Sequence, residues 1–165
     1  MADAVDFDAV VPLPCAAVGI RTRGDAVAEI CFLTAGTPPR DASNGVARQA
    51  CEAILSYVAD PARAVDVPLA IDGSEFQCSV WAAIRRIPAG TTRTYGELAA
   101  ELGSTARAVG QACGDNRLPI AIPCHRVVAA GGLGGFAHRA GGAMLDVKRW
   151  LLEHESRHVF TLTLS

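Results

Sequence analysis

The sequence predicts an α+β protein, in which a small N-terminal α/β domain precedes a mainly helical C-terminal domain with a winged-helix-like helix-turn-helix. Short β-branched and apolar runs dominate residues 16–33, whereas apolar residues at helical spacing, interrupted by Pro and Gly, dominate residues 74–165. A chain of 165 residues suffices for one ordinary domain or two small ones. We expect the boundary after residue 73, so that domain 1–73 is largely structural and domain 74–165 carries the chemistry.

The N-terminal domain is expected to contain a hairpin, a connector, a helix and a strand. The runs AAVGIRTR and AVAEICFL flank Gly24-Asp25, which is a hairpin signal. The polar connector TAGTPPRDASNG then leads to GVARQACEAILSYVAD, which ends at Asp60-Pro61. Its apolar residues recur at helical spacing, at Val46, Ala50, Ile54, Leu55 and Val58. VDVPLAIDG predicts a further short strand, and the acidic start MADAVDFDAV is expected to be frayed.

The C-terminal domain is expected to be mainly helical. SEFQCSVWAAIRRIPAG has Ser74 as an N-cap and stops at Pro88 and Gly90. TTRTYGELAAELGSTARAVGQACGDN predicts a helix, a Gly-Ser-Thr break and a second helix, with Arg107 early on the second, where a recognition helix meets DNA. A plain helical corner has the same spacing. DVKRWLLEHESRHVF predicts an amphipathic helix after the loop LGGFAHRAGGAM, which lacks nucleotide-phosphate spacing.

Composition and cysteine usage favour a cytoplasmic globular protein. Half of the residues are hydrophobic and 19% are charged, as in soluble proteins. No run approaches the ~20 apolar residues that span a bilayer, and the acidic N-terminus is unlike a signal peptide. The six cysteines are scattered without a CxxC pair, which argues against both a disulfide scaffold and a zinc site.

The charge is divided unevenly along the chain. The net charge of −2 combines a balance of −6 over residues 1–84 with a balance of +4 over residues 85–165. A basic second half favours contact with a polyanion there, although a small protein also reaches such a split by chance.

The stretch PCHRVV places a thiol and an imidazole side by side within an apolar run. A cysteine nucleophile needs a lowered pKa or an adjacent base, and the base needs a third group to orient it. His125 and, on the last predicted helix, Glu155 are the candidates. Neighbouring side chains on a strand point to opposite faces, so His125 reaches Cys124 only across an irregular backbone or through a water. The neighbouring prolines, Pro119 and Pro123, favour such an irregular backbone. The alternative is a cysteine that only fills the core.

The stretch RAVGQACGDNRLPIAIPCHRVV resembles the signature of the O6-alkylguanine-DNA alkyltransferases, a family that repairs alkylated guanine by direct alkyl transfer. The resemblance extends upstream through FQCSVWAAIRRIPAGTTRTYGELA and downstream to KRWLLEHE, and so covers about residues 74–155. It implies that Cys124 accepts the alkyl group, that His125 withdraws the thiol proton through a water, and that Glu155 orients His125. It further implies that Asn116 is a hinge and that Tyr95 donates to the guanine.

The resemblance also implies the partner and its contacts. The partner is double-stranded DNA containing O6-alkylguanine, approached from the minor groove with little sequence preference by a monomer that needs no cofactor and no metal. Arg107 fills the gap left by the flipped base, and the other DNA-contacting residues are Tyr95, Ala106 and Arg126. The substrate pocket would be lined by Cys113, Pro119, Val127 and Phe136.

Two departures from the family pattern and three rival functions accompany this interpretation. Arg117 stands where members often have Pro, and Phe136 replaces a Tyr, which keeps an apolar wall but removes a hydroxyl donor.

The first rival is a protein that binds alkylated DNA without repairing it, against which Cys124 and Glu155 argue. A Cys-His hydrolase leaves Arg107 unexplained, and a regulator switched by alkylation would need an effector domain.

Overall fold

The chain folds as two units, residues 1–71 and 72–165, in a computed structural model that describes residues 6–136 and 142–164. The N-terminal unit combines a small antiparallel sheet with one helix, and the C-terminal unit is mainly helical. The predicted α+β class is therefore confirmed. Within the described ranges, every helix is too short or too polar to cross a lipid bilayer.

The N-terminal sheet contains three antiparallel strands in the order β1-β2-β3: Ala9–Pro12, Ala17–Arg23 and Ala26–Leu33. The β2–β3 pair is the predicted hairpin, and Gly24 in its turn has a φ of +60°, which side chains with a Cβ rarely tolerate.

Strand β1 was not predicted, and the expectation of a frayed start is wrong from residue 6 onward. The Asp8 carboxylate accepts hydrogen bonds from the Thr22 backbone N–H at 2.8 Å and from the Ser43 hydroxyl at 2.9 Å. These bonds lower the pKa of Asp8 despite an opposing effect of burial. Asp8 therefore holds the N-terminal segment in place by hydrogen bonds, although an acidic residue was expected to leave this segment exposed to solvent. Residues 1–5 lie outside the described part.

Helix α1 spans Gly45–Ala59, and the Asn44 side chain caps it by accepting the Ala47 N–H at 2.8 Å. The helix was predicted, but its apolar repeat coincides only in part with the face that is buried. Leu55 is 49% exposed, and the buried positions are Ala47, Ala50, Ile54 and Tyr57. The predicted strand over 65–73 is wrong: the segment makes one parallel bridge, between Val27 and Leu69, and Pro68 has no N–H with which to extend a ladder.

Four helices form most of the C-terminal unit: α2 (Glu75–Arg85), α3 (Tyr95–Leu102), α4 (Ala106–Gly114) and α5 (Ala143–Leu164). The two-residue strands β4 (Arg93–Thr94) and β5 (Val127–Val128) pair in parallel. The predicted N-cap at Ser74 is confirmed, as part of a capping box with Gln77.

The predicted helix-turn-helix is confirmed as α3 and α4. The Thr94 hydroxyl accepts the Glu97 N–H, and the Thr105 hydroxyl accepts the Ala108 N–H, each at 3.1 Å. Gly103 ends α3 in the left-handed region at φ +64°. Each helix therefore has its own cap, which fixes where the turn begins and ends.

Helix α2 supports the C-terminal end of α4 through two hydrogen bonds. The Trp81 indole donates to the Ala112 carbonyl at 2.9 Å, and the Gln77 amide donates to the Asp115 carboxylate at 3.0 Å. One carbonyl that the helix itself leaves unpaired is thus satisfied, and the chain leaves α4 from a fixed position.

Candidate active site

The segment between α4 and β5 is held in an irregular conformation by Asn116. Its side-chain oxygen accepts the Leu118 N–H and its amide donates to the Ile122 carbonyl, both at 2.9 Å. Between them, Ile120 has a φ of +73° while being only 5% exposed, a conformation that costs a β-branched residue of order 1–3 kcal/mol. The irregular backbone that the prolines predicted is therefore present, and Asn116 ties the end of α4 to the residues before Cys124.

Cys124 opens a single 3₁₀ turn, Cys124–Arg126, and is buried. Its N–H donates to the Ile122 carbonyl at 2.8 Å. Burial raises the pKa of the thiol to about 11, although a hydrogen bond with Asn116 and the charge of Lys148 act in the opposite direction. The thiol is therefore protonated at neutral pH, and reaction requires a base.

His125 is completely buried, and its Nε2 lies 2.7 Å from Glu155 Oε1. Burial lowers the pKa of His125, and the hydrogen bond to Glu155 offsets this only in part. A neutral ring that donates from Nε2 to the carboxylate carries its lone pair on Nδ1. Nδ1 has no hydrogen-bond partner among the described residues, so it is the atom placed to take a proton.

Glu155 is also held by a cation, Arg126. The Arg126 guanidinium donates from Nη2 to Glu155 Oε1 at 2.9 Å and from Nε to Oε2 at 3.1 Å, while Nη1 donates to the Ile87 carbonyl at 2.6 Å. Burial would raise the pKa of Glu155, but the bonds from His125 and Arg126 lower it to about 2. The carboxylate is thus ionised at every physiological pH.

Arg126, which the resemblance implies as a DNA contact, is directed to this carboxylate instead, and the DNA contact itself stays a prediction. Its side chain is 11% exposed, and its guanidinium faces the buried carboxylate instead of the surface. The 3₁₀ turn is responsible, because it directs the side chains of His125 and Arg126 to the same carboxylate.

Sequence reasoning missed the role of Lys148. Its Nζ, on a fully buried side chain, donates at 2.8 Å to the carbonyls of Val127 and Gly135. Burial lowers its pKa to about 8, while the neighbouring thiols Cys124 and Cys113 act to raise it. One signal was available: the chain's only lysine stands seven residues before Glu155, which places the two on one face of a helix.

Tyr95, the first residue of α3, lies beside this lysine. Its hydroxyl donates to the Gly135 carbonyl at 3.3 Å, and Lys148 Nζ lies 5.8 Å from the centre of its ring. Burial raises its pKa to about 12, with a further contribution from the two thiols. Gly134 has a φ of +75°, and a Cβ there would lie 2.9 Å from Tyr95 Cε2, so the loop passes the ring only as glycine.

The predicted pocket residues are all buried: Cys113, Pro119, Val127 and Phe136. Cys113 and Val127 are placed near the reacting groups, because the charges of Cys113, Cys124 and Lys148 interact and Val127 accepts from Lys148. Burial raises the pKa of Cys113 to about 12. Pro119 lies in the segment closed by Asn116, and Phe136 precedes residues 137–141 of the predicted glycine-rich loop, which lie outside the described part.

Ala106 and Arg107 are exposed at the start of α4. Among residues 6–136 and 142–157, no three His, Cys, Asp or Glu side chains are grouped as a metal site. What the site offers is a thiol, a neutral imidazole with a free lone pair, and a carboxylate that orients the imidazole. In that combination the imidazole can remove the thiol proton, and the resulting thiolate is a nucleophile suited to group transfer.

Known proteins share both the sequence and the fold. A family model described as the DNA-binding domain of 6-O-methylguanine DNA methyltransferase matches residues 75–157. A methylated-DNA–protein-cysteine methyltransferase of Methanosarcina acetivorans is 45% identical over 111 residues, 66% of this chain and 68% of the relative. The crystal structure of Mycobacterium tuberculosis O6-methylguanine methyltransferase matches with a TM-score of 0.75 and 32% identity, covering 90% of this chain and 92% of that chain. M. tuberculosis OGT in complex with DNA matches with a TM-score of 0.74 and 31% identity over the same shares. This chain belongs to the 6-O-methylguanine DNA methyltransferase family.

Proposed function

We propose that this chain repairs O6-alkylguanine in double-stranded DNA by transferring the alkyl group to the Sγ atom of its own Cys124. The observation that carries the proposal is the buried pair His125–Glu155, 2.7 Å apart, next to a cysteine that Asn116 joins to a helix-turn-helix. The names of the relatives and the DNA complex of one of them support the same activity. In this assignment residues 74–165 form the DNA-binding and alkyl-accepting domain, and residues 1–73 are largely structural.

The lesion has to leave the base stack before it reaches Cys124, which costs a few kcal/mol. Arg107 is exposed near the N-terminus of α4, without a side-chain partner among the described residues. Entering from the minor groove, its guanidinium fills the space left by the base and stacks on the neighbouring pairs. The small side chain of Ala106 lets the helix approach the groove closely. Such a protein binds DNA as a monomer, with modest affinity and little sequence preference.

Transfer begins with removal of the thiol proton. With a pKa of about 11, only about 10⁻⁴ of the resting molecules hold a thiolate at pH 7. The proton passes through one water to Nδ1 of His125, and the imidazolium that forms is stabilised by the ionised Glu155. Arg126 is a positioning residue in this step, since it fixes the carboxylate that orients His125.

The thiolate then displaces guanine from the alkyl carbon. The S–C bond forms as the C–O6 bond breaks, and the electron pair of that bond goes to the guanine, which takes up one proton from solvent while the imidazolium releases the thiol proton to solvent. Tyr95 donates a hydrogen bond to the departing base, and a pKa of about 12 keeps its hydroxyl protonated. In sum, thiol and alkylguanine become thioether and guanine. A thioether is a stable product that does not return to the thiol, so each molecule reacts once, and the displacement requires neither cofactor nor metal.

Intact mass after incubation with duplex DNA containing O6-methylguanine tests this function. One methyl group in place of a proton adds about 14 Da to each protein molecule. Cys124→Ser should add nothing while still retaining the DNA. A wild-type mass that stays unchanged while the DNA is bound would identify a binding protein instead. An unchanged mass without binding would remove both functions.

Arg107→Ala separates base flipping from chemistry. We expect the variant to react more slowly with methylated duplex and at the wild-type rate with free O6-methylguanine base, because the free base needs no flipping. Single-turnover rates measured by mass on the two substrates check this. Equal losses on both would show that Arg107 has no such role.

A further inference from the structure

The outer face of α4 carries only two long side chains. Of the nine residues Ala106–Gly114, seven are Ala, Gly, Val or Cys, and the exceptions are Arg107 and Gln111. Both exceptions are exposed. The buried residues of the helix, Val109, Ala112 and Cys113, face the interior.

Arg107 and Gln111 are four residues apart, so their Cβ atoms are about 5–6 Å apart on one face of the helix. Neither side chain bonds to another residue among the described side chains of 6–136 and 142–157. Between them Gly110 has no side chain, and a Cβ there would lie 3.9 Å from Tyr95. The surface of α4 around the two side chains therefore carries only small residues, which allow a nucleic-acid groove to approach closely.

We propose that Gln111 is a specificity-determining residue that binds the minor-groove edge of a base pair next to the lesion. The proposal rests on the proposed function, in which Arg107 enters the stack from the minor groove, because Gln111 then follows one helical turn away. The minor-groove edges of A·T pairs offer only acceptors, whereas G·C pairs add the N2 amino donor of guanine. The Gln111 amide donates to any of these acceptors, and its oxygen finds a donor only at guanine.

Gln111 and Arg107 therefore differ in what they contribute to binding. The Gln111 carboxamide is uncharged and releases no counterion, so its removal leaves the salt dependence of binding unchanged. Removal of Arg107 reduces the slope of log K against log salt by about one. Gln111 instead gives a modest preference for a neighbouring guanine, of the size of one neutral hydrogen bond, about threefold to tenfold.

The experiment replaces a guanine beside O6-methylguanine by inosine, which lacks the N2 amino group. The exchange is made in turn on each side of the lesion and on each strand. The single-turnover rate of methylation of Cys124 is then measured by mass for wild type, Gln111→Ala and the control Gln49→Ala. Gln49 is also exposed on a helix, in the other unit. Alanine favours helices, so neither variant should unfold the protein.

In at least one position, inosine should slow the wild type and Gln49→Ala about threefold to tenfold relative to guanine. Gln111→Ala should react at equal rates with both duplexes. Equal rates in the wild type at every position, or a difference that persists in Gln111→Ala, would overturn the role of Gln111. Free O6-methylguanine base keeps the two proposals apart: a methyl adduct on Cys124 from that substrate supports the transfer function whatever the duplexes show.

Discussion

Two ion networks of the C-terminal unit use the same residue types in opposite surroundings. The surface network joins Arg86 and Arg93 to Glu101, and Arg93 also to Glu97 at 3.7 Å. The buried network joins His125 and Arg126 to Glu155, whose side chain is 1% exposed. In both, arginine lowers the pKa of a glutamate. Water and salt screen the surface network, whereas the buried charges depend on each other.

The difference indicates what each network is for. A buried ion pair is weak evidence for stability, because desolvation offsets much of its Coulomb energy. The buried network therefore needs another explanation, and the proposed chemistry of Cys124 provides one: an ionised carboxylate that holds His125 in the tautomer with a free Nδ1. The surface network has no such neighbour and can be lost at little cost.

Glu155→Gln should have the largest effect on stability. The amide cannot balance Arg126, and a buried charge left without its partner costs about 3–5 kcal/mol. Urea unfolding should show a loss of that order, and alkyl transfer should fall with it. Should the variant unfold at the wild-type urea concentration, the buried network would be no different from the surface one.

Acid should weaken the protein through the same carboxylate. The folded pKa of Glu155 is about 2 against an ordinary 4.5, so the unfolded chain binds the proton first as pH falls. The stabilisation is complete above pH 4.5 and is lost between 4.5 and 2, at about 3 kcal/mol in all. Between pH 4.5 and pH 2, the free energy of unfolding should fall more steeply with decreasing pH for the wild type than for Glu155→Gln. Parallel curves would contradict the assignment.

Lys148→Met tests a second buried charge, whose hydrogen-bond partners are backbone carbonyls and not a carboxylate. Methionine has a similar shape but leaves the Val127 carbonyl without its donor and the Gly135 carbonyl with the Tyr95 hydroxyl alone, for an expected loss of about 2 kcal/mol. The pKa of Cys124 should also rise, because the lysine charge lowers it. Thiolate absorbance during a pH titration measures this second effect. If the pKa of Cys124 in the variant equals that of the wild type, the charge of Lys148 does not act on the thiol.

Glu101→Gln is the matched variant on the surface and should have the smallest effect. It removes the partner of Arg86 and Arg93 where solvent already screens the charges. We expect an unfolding midpoint and a transfer rate indistinguishable from those of the wild type. A loss comparable to that of Glu155→Gln would mean that burial does not distinguish the two networks.

The sequence predicted the elements that local rules control. Caps and helical spacing located α2, α3 and α4, and the prolines around Cys124 predicted an irregular backbone. The direction of the Arg126 side chain could not be predicted from the sequence. It depends on a 3₁₀ turn that directs both His125 and Arg126 to the carboxylate of Glu155, which lies 30 and 29 residues further along the chain. The partners of Lys148 were also beyond the sequence, because backbone carbonyls leave no pattern in it, and only the spacing of the lysine from Glu155 was a signal.

The most direct test of the account is to locate the methyl group on one of two neighbouring thiols. Trypsin cleaves after Arg107, Arg117 and Arg126, which separates Cys113 in peptide 108–117 from Cys124 in peptide 118–126. After reaction with methylated duplex, peptide 118–126 should gain about 14 Da, on the cysteine sulfur, and peptide 108–117 should gain nothing. Methylation of Cys113, or of His125 within peptide 118–126, would contradict the claim that the buried network serves Cys124.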